Sequence, residues 1–163
     1  MYSNGSYVLA PGTAERRWMG ATFTDFLASG ELTGGKFAMV DETAPRGTSV
    51  PLHTHAGDDE SFYVVEGKVA FFVGEGTPRT GGPGTFVHIP GGVVHGFRVE
   101  SDSARYLILT TVRHGDFYKA ITLPSRAGGL APAEQVDGEM IGRACGEFGI
   151  TFVGPLPAKA ETS

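Results

Sequence analysis

Four side chains carry the strongest chemical signal in this sequence: His53, His55, Glu60 and His95. His53 and His55 are two residues apart, and on a strand that spacing puts both imidazoles on one face, within reach of one ion. Residues 56–59 then supply a turn, and Glu60 opens the next apolar run, so a carboxylate can return to the imidazoles across a hairpin. His95 offers a third imidazole. Three imidazoles and one carboxylate make a mixed N/O shell that suits one divalent transition metal per chain (Ni, Fe, Mn, Co, Cu or Zn) and suits Mg or Ca poorly. Four protein ligands leave two positions of an octahedral ion open for water, substrate or dioxygen.

Such a shell needs strands to hold it. From Gly35 to about Thr111 the sequence is a series of short apolar runs, at 36–41, 49–53, 61–66, 68–73, 84–90, 94–99 and 104–111, punctuated by Gly, Pro or Asp-Asp. Regular short strands between turn residues signal an all-β sandwich or barrel. The 25 Gly and 10 Pro in 163 residues agree, since so many turn-formers exclude a protein of long helices. Residues 14–19 read as a helical turn or a strand entry, and 24–28 as a short segment. Beyond Thr111, residues 116–120 and then 132 to about 148 read as helices, the second with Pro132 near its first turn and Glu134 behind it. No internal repeat is present. The expectation is a single domain over 1–163: an N-terminal segment 1–35, a barrel core 36–111, a C-terminal helical covering segment 112–153 and a flexible tail 154–163.

The motif positions resemble those of the cupins. The first cupin motif is matched by Gly47, His53, His55, Glu60 and Gly67, and the second by Gly84, Pro90, Gly92 and His95, with Val99 where Asn is usual. That departure touches a residue that in the family tends to be structural. The resemblance covers about residues 36–111 and implies a conical double-stranded antiparallel β-barrel of the jelly-roll class, with the metal inside its mouth. Gly67, Gly84 and Gly92 would then sit where strands reverse, and Pro90 would end a strand.

Within the cupins, the stretch from His53 to Gly67, followed by Phe71-Phe72-Val73-Gly74, looks most like the single-barrel quercetinase-type dioxygenases (quercetin 2,3-dioxygenase, flavonol 2,4-dioxygenase). By implication the substrate's enolic hydroxyl would coordinate the metal, Glu60 would be both ligand and catalytic base, and dioxygen would add across the ring to expel carbon monoxide. The same four ligands serve proton abstraction from a chelated carbonyl equally well. An oxygen-independent isomerase, cyclase or decarboxylase of a polyketide or sugar-like molecule is therefore the second reading, and a non-catalytic binding module the third. The bland alternative for the four ligands is a set of polar residues in a barrel that has lost its metal.

Phe62 and Phe97 continue the inward faces set by Glu60 and His95 and are expected to line the substrate pocket. His88 and His114 are expected to be satisfied or solvent-facing histidines, and Cys145 to fill a small-residue position. Residues 117–126 and 132–150 are expected to cover the barrel mouth as a lid excluding water from the metal. A net charge of -5, from 13 Lys plus Arg against 18 Asp plus Glu, with no basic run longer than Arg16-Arg17, leaves no footprint for nucleic acid. No apolar run approaches a membrane span or a secretory core, so a cytoplasmic protein without a membrane partner is expected. The family implies a homodimer acting on a small-molecule substrate.

Overall fold

The computed structural model describes residues 5–158, which form twelve strands and three α-helices. In chain order these are β1 (Glu15–Met19), β2 (Thr22–Ala28), α1 (Gly30–Thr33), β3 (Ala38–Pro45), β4 (Ser49–His55), β5 (Glu60–Glu66), β6 (Val69–Val73), β7 (Arg79–Gly81), β8 (Phe86–Ile89), β9 (His95–Val99), β10 (Ser103–Thr110), α2 (Val112–Ala120), β11 (Leu123–Pro124), α3 (Gly138–Phe148) and β12 (Ile150–Gly154). A seven-stranded sheet runs β11-β1-β2-β3-β10-β5-β8, and a five-stranded sheet runs β12-β4-β9-β6-β7, with every pairing antiparallel. This is the jelly-roll barrel that the short, turn-separated runs imply.

Period-two burial builds the core. Ala38, Val40, Glu42 and Ala44 of β3, Glu60, Phe62 and Val64 of β5, and Ala104, Tyr106, Ile108 and Thr110 of β10 face inward. Of these, Val40, Ala44, Phe62, Val64, Ala104, Tyr106 and Ile108 meet Val69 and Phe71 of β6 and Phe97 and Val99 of β9 from the opposite sheet in one apolar cluster. Each buried Val, Ile or Phe of that cluster contributes about 1.5–3 kcal/mol by leaving water. A smaller cluster joins Phe117 and Ile121 beside α2 to Ala144 and Cys145 of α3 and Ile150 of β12. Cys145 packs there as a small apolar residue. Among the described residues no helix is long and apolar enough to cross a membrane.

Several boundaries differ from the sequence reading. The sheet starts at Glu15 rather than near residue 36, because Thr22, Thr24, Phe26 and Ala28 alternate inward and β2 pairs with β3 along its length. Arg16 holds Asp25 across the β1–β2 hairpin through two bonds of 2.7 Å. The second C-terminal helix begins at Gly138, not at residue 132, because the Asp137 side chain accepts the Met140 N–H and caps it there. Residues 150–154, expected inside the covering segment and tail, form a strand on the edge of β4. Of the tail, 155–158 run beside β9, where Arg98 bonds the Pro157 carbonyl at 3.4 Å, and 159–163 lie outside the described residues.

Candidate metal centre

Strand β4 alternates outward and inward so that His53 and His55 are both buried. Its antiparallel neighbour β9 sets His95 directly opposite His53. Glu60, the first residue of β5, arrives from the other sheet and is 2 % exposed. The ligand atoms of His53, His55, Glu60 and His95 all lie within 4.8 Å of one another. Two loops are tied together to keep them there: the Gly92 N–H bonds the His55 carbonyl at 2.8 Å, and the Gly91 N–H bonds the Asp59 carboxylate at 2.9 Å. A Cβ on Gly91 would sit 2.7 Å from the Gly57 backbone, so only glycine permits this approach of the turn before His95 to the loop before Glu60.

The protonation pattern fits a cation. His53 Nδ1 donates to the Pro51 carbonyl at 2.8 Å and His95 Nδ1 to the Val93 carbonyl at 2.9 Å, which leaves their Nε2 lone pairs facing the centre. There His53 Nε2 stands 3.0 Å from His55 Nε2, and His95 Nε2 stands 3.1 Å from Glu60 Oε2. Acceptor faces acceptor, and a shared cation resolves both contacts. Burial pushes both His53 and His55 down, His55 to about 3 with help from the charge of His114, so these imidazoles stay neutral and able to ligate. Burial alone would raise Glu60, but the hydrogen bond from His114 and the charge of that imidazole hold it well below the usual carboxylate range.

Two groups at this centre come from α2. His114, expected to be satisfied or solvent-facing, is 2 % exposed, lies over the His55 ring at 4.0 Å, and places Nε2 3.2 Å from Glu60 Oε1. Its Nδ1 has no partner among the described residues. Tyr118, one turn further along the helix, donates its hydroxyl to the same Oε1 at 2.8 Å. Their i, i+4 spacing was the available signal, since it puts both on one helical face. His88, by contrast, is exposed and bonds Ser61 at 2.9 Å.

A cavity of about 200 Å³ opens from His53, Glu60, His114 and Tyr118. Of the two phenylalanines expected in the substrate pocket, Phe97 is among the residues lining this cavity and Phe62 is not. Phe62 shares the inward face of Glu60 but lies two residues further along β5 and packs edge-on to Phe71 and Phe97 at 5.4 and 5.5 Å. The missing wall comes from the C-terminal segment: Phe117 and Ile121 by α2, Ile141 of α3, and Ile150 and Phe152 of β12. Glu42 and Thr24 also face the cavity. Glu42 continues the two-residue alternation of Ala38 and Val40 one step past the run 36–41, which is the signal the sequence holds for it.

Residues 40–112 match a family model described as the cupin domain. Over 95 residues, 58% of this chain, the sequence is 32% identical to quercetin 2,3-dioxygenase of Bacillus subtilis (strain 168), and the match spans 28% of that relative's length. Among solved structures, the polyketide cyclase RemF from Streptomyces resistomycificus superposes with a TM-score of 0.58 at 21% identity, over 66% of this chain and 80% of that one. KdgF from Halomonas sp. gives 0.60 at 20% identity, over 68% and 97%. At these identities the structural likeness is one of fold.

Proposed function

We propose that this chain, whose residues 40–112 match the cupin domain model, is a metal-dependent dioxygenase of the quercetinase kind, cleaving an enolisable aromatic, flavonol-type substrate. The observation that carries this reading is Glu60, a buried carboxylate held ionised between the imidazole cluster and the wall of a mostly apolar cavity. His53, His55, His95 and Glu60 would hold one divalent transition metal, which when bound supplies a Lewis acid for the enolic hydroxyl and open positions for substrate and dioxygen. Glu60 then takes the enolic proton, while the bonds that Tyr118 and His114 make to Oε1 keep the carboxylate aimed. Phe97, Phe117 and Phe152 offer aromatic walls for a planar ring and exclude water. Likeness to the B. subtilis quercetin 2,3-dioxygenase supports the substrate class.

A second reading, an oxygen-independent isomerase, cyclase or decarboxylase of a polyketide or sugar-like molecule, draws on the cavity volume of about 200 Å³, below the roughly 300–1,000 Å³ usual for drug-sized ligands. Oxygen uptake by the metal-loaded protein with quercetin separates the two. Uptake in air with no conversion under strict anaerobiosis supports the dioxygenase; anaerobic conversion selects the second reading. Glu60→Gln should lower turnover about 10²–10⁴-fold while metal content falls less, and unchanged turnover removes Glu60 as base. The chain is proposed to act in the cytoplasm as a homodimer, its second copy covering the outer face of the seven-stranded sheet where Tyr63, Phe86 and Leu109 stand exposed.

A further inference from the structure

Glu42 faces the same cavity as Glu60 but lies outside the metal-ligand cluster. Across the sheet it is opposite Thr24 on one side and Tyr106 on the other, whereas Glu60 is opposite Thr110 on the far side of β10. Two strand spacings of about 4.8 Å and four residues of about 3.3 Å along β10 therefore separate the two positions. The carboxyls serve different ends of the cavity.

The Tyr106 hydroxyl donates to Glu42 Oε1 at 2.7 Å and the Thr24 hydroxyl to Oε2 at 3.0 Å. Among the described residues no Lys, Arg or His bonds or pairs with this carboxyl. An ionised carboxylate held only by neutral hydroxyls in an apolar interior is costly. Burial pushes Glu42 up, the two hydroxyls pull it part of the way back, and the charge of Glu60 pushes it further up. A proton count follows from the neutral form. Glu42, Tyr106 and Thr24 then own three O–H groups but share only two contacts, so one donor has no acceptor. Tyr106 is fully buried behind the cavity wall, while Glu42 and Thr24 line it. The unfilled donor opens into the cavity.

We propose that Glu42, with Thr24 and Tyr106, forms a second, hydrogen-bond-donating subsite, which takes a carbonyl or phenolic oxygen of a ligand whose other oxygen lies against the His53, His55, Glu60 and His95 cluster. The ligand class is thus a largely apolar ring body with oxygen functions at both ends. This rests on the reading that the cavity binds an enolisable aromatic molecule.

The test is a binding cycle on the metal-loaded protein without oxygen, using quercetin and 3-hydroxyflavone, which keeps the enolic end but lacks the distal hydroxyls. Glu42→Leu should weaken quercetin about tenfold, the loss of one buried hydrogen bond, and leave 3-hydroxyflavone within about threefold. Glu42→Gln, whose amide N–H can donate in place of the acid, should bind quercetin like the wild type, with metal content unchanged in both variants. The infrared difference between wild type and Glu42→Gln should show a neutral carboxylic acid band. Equal losses for both ligands, or none for quercetin, overturn the subsite, and so does a missing band. If the wild type binds neither flavonol, the flavonol reading fails, and the band alone then decides the subsite.

Discussion

Acid should destabilise the metal-free protein through His55. That imidazole is 2 % exposed, and burial first, then the charge of His114, lowers it from the ordinary 6.5 to about 3. The sign is fixed by proton binding: below about pH 6.5 the unfolded chain protonates His55 and the folded chain refuses the proton. The stabilisation is complete above about 6.5 and is lost as pH falls, by about 1.4 kcal/mol per unit, until the folded value is reached. Between pH 6.5 and 5 the His55 share is about 2 kcal/mol, and over the whole window to about pH 3 it is about 5 kcal/mol. His53 is lowered by the same burial and adds in the same direction. Glu60 is depressed below 4.5 and titrates outside the upper window, while Glu42 is raised and acts in the opposite sense in every variant that keeps it. The measurement is urea denaturation of chelator-treated protein at several values between pH 7 and 5, for wild type and His55→Asn. Wild type should lose about 2 kcal/mol more than the variant across that span. Parallel pH profiles would refute the argument that burial keeps His55 neutral.

Removing the Tyr118 hydroxyl in Tyr118→Phe deletes the 2.8 Å bond to Glu60 Oε1. A bond to a charged group contributes about 1.5–3 kcal/mol, so turnover should fall about 10–100-fold with metal content kept, as read by steady-state kinetics beside elemental analysis; a wild-type rate counts against the clamp. Gly67→Ala should destabilise the fold by about 2–5 kcal/mol. Gly67 has φ +78, which costs a side-chain-bearing residue about 1–2 kcal/mol, and a Cβ there collides with the Ser103 carbonyl oxygen and lies 2.8 Å from Ala104 Cα, adding about 1–3 kcal/mol of overpacking. Thermal or urea denaturation checks this, and a loss below about 0.5 kcal/mol contradicts it.

Legible in the sequence were the strands between 36 and 111 other than β7, the turns at Gly67, Gly84 and Gly92, and the grouping of His53, His55, Glu60 and His95. The strands and turns rest on local rules, since two-residue periodicity assigns a face and glycine or proline marks where a strand must stop or reverse; the joining of His95 to the other three rests on the resemblance to the cupin motifs. Tertiary structure decided what stands opposite each face. His114 and Tyr118 reach Glu60 from 54 and 58 residues away, and β12 lays Ile150 and Phe152 opposite His55 and His53. No periodicity within α2 or β12 says which wall they will meet. Depth was equally hidden: Phe62 and Phe97 share the inward assignment and pack against each other, yet Phe62 is enclosed by Phe71, Phe97 and Tyr106 while Phe97 also reaches the cavity. Glu42 shows the same limit: the run legible in the sequence stops at residue 41, and only the folded sheet turns Glu42 inward and brings Thr24 and Tyr106 beside its carboxyl.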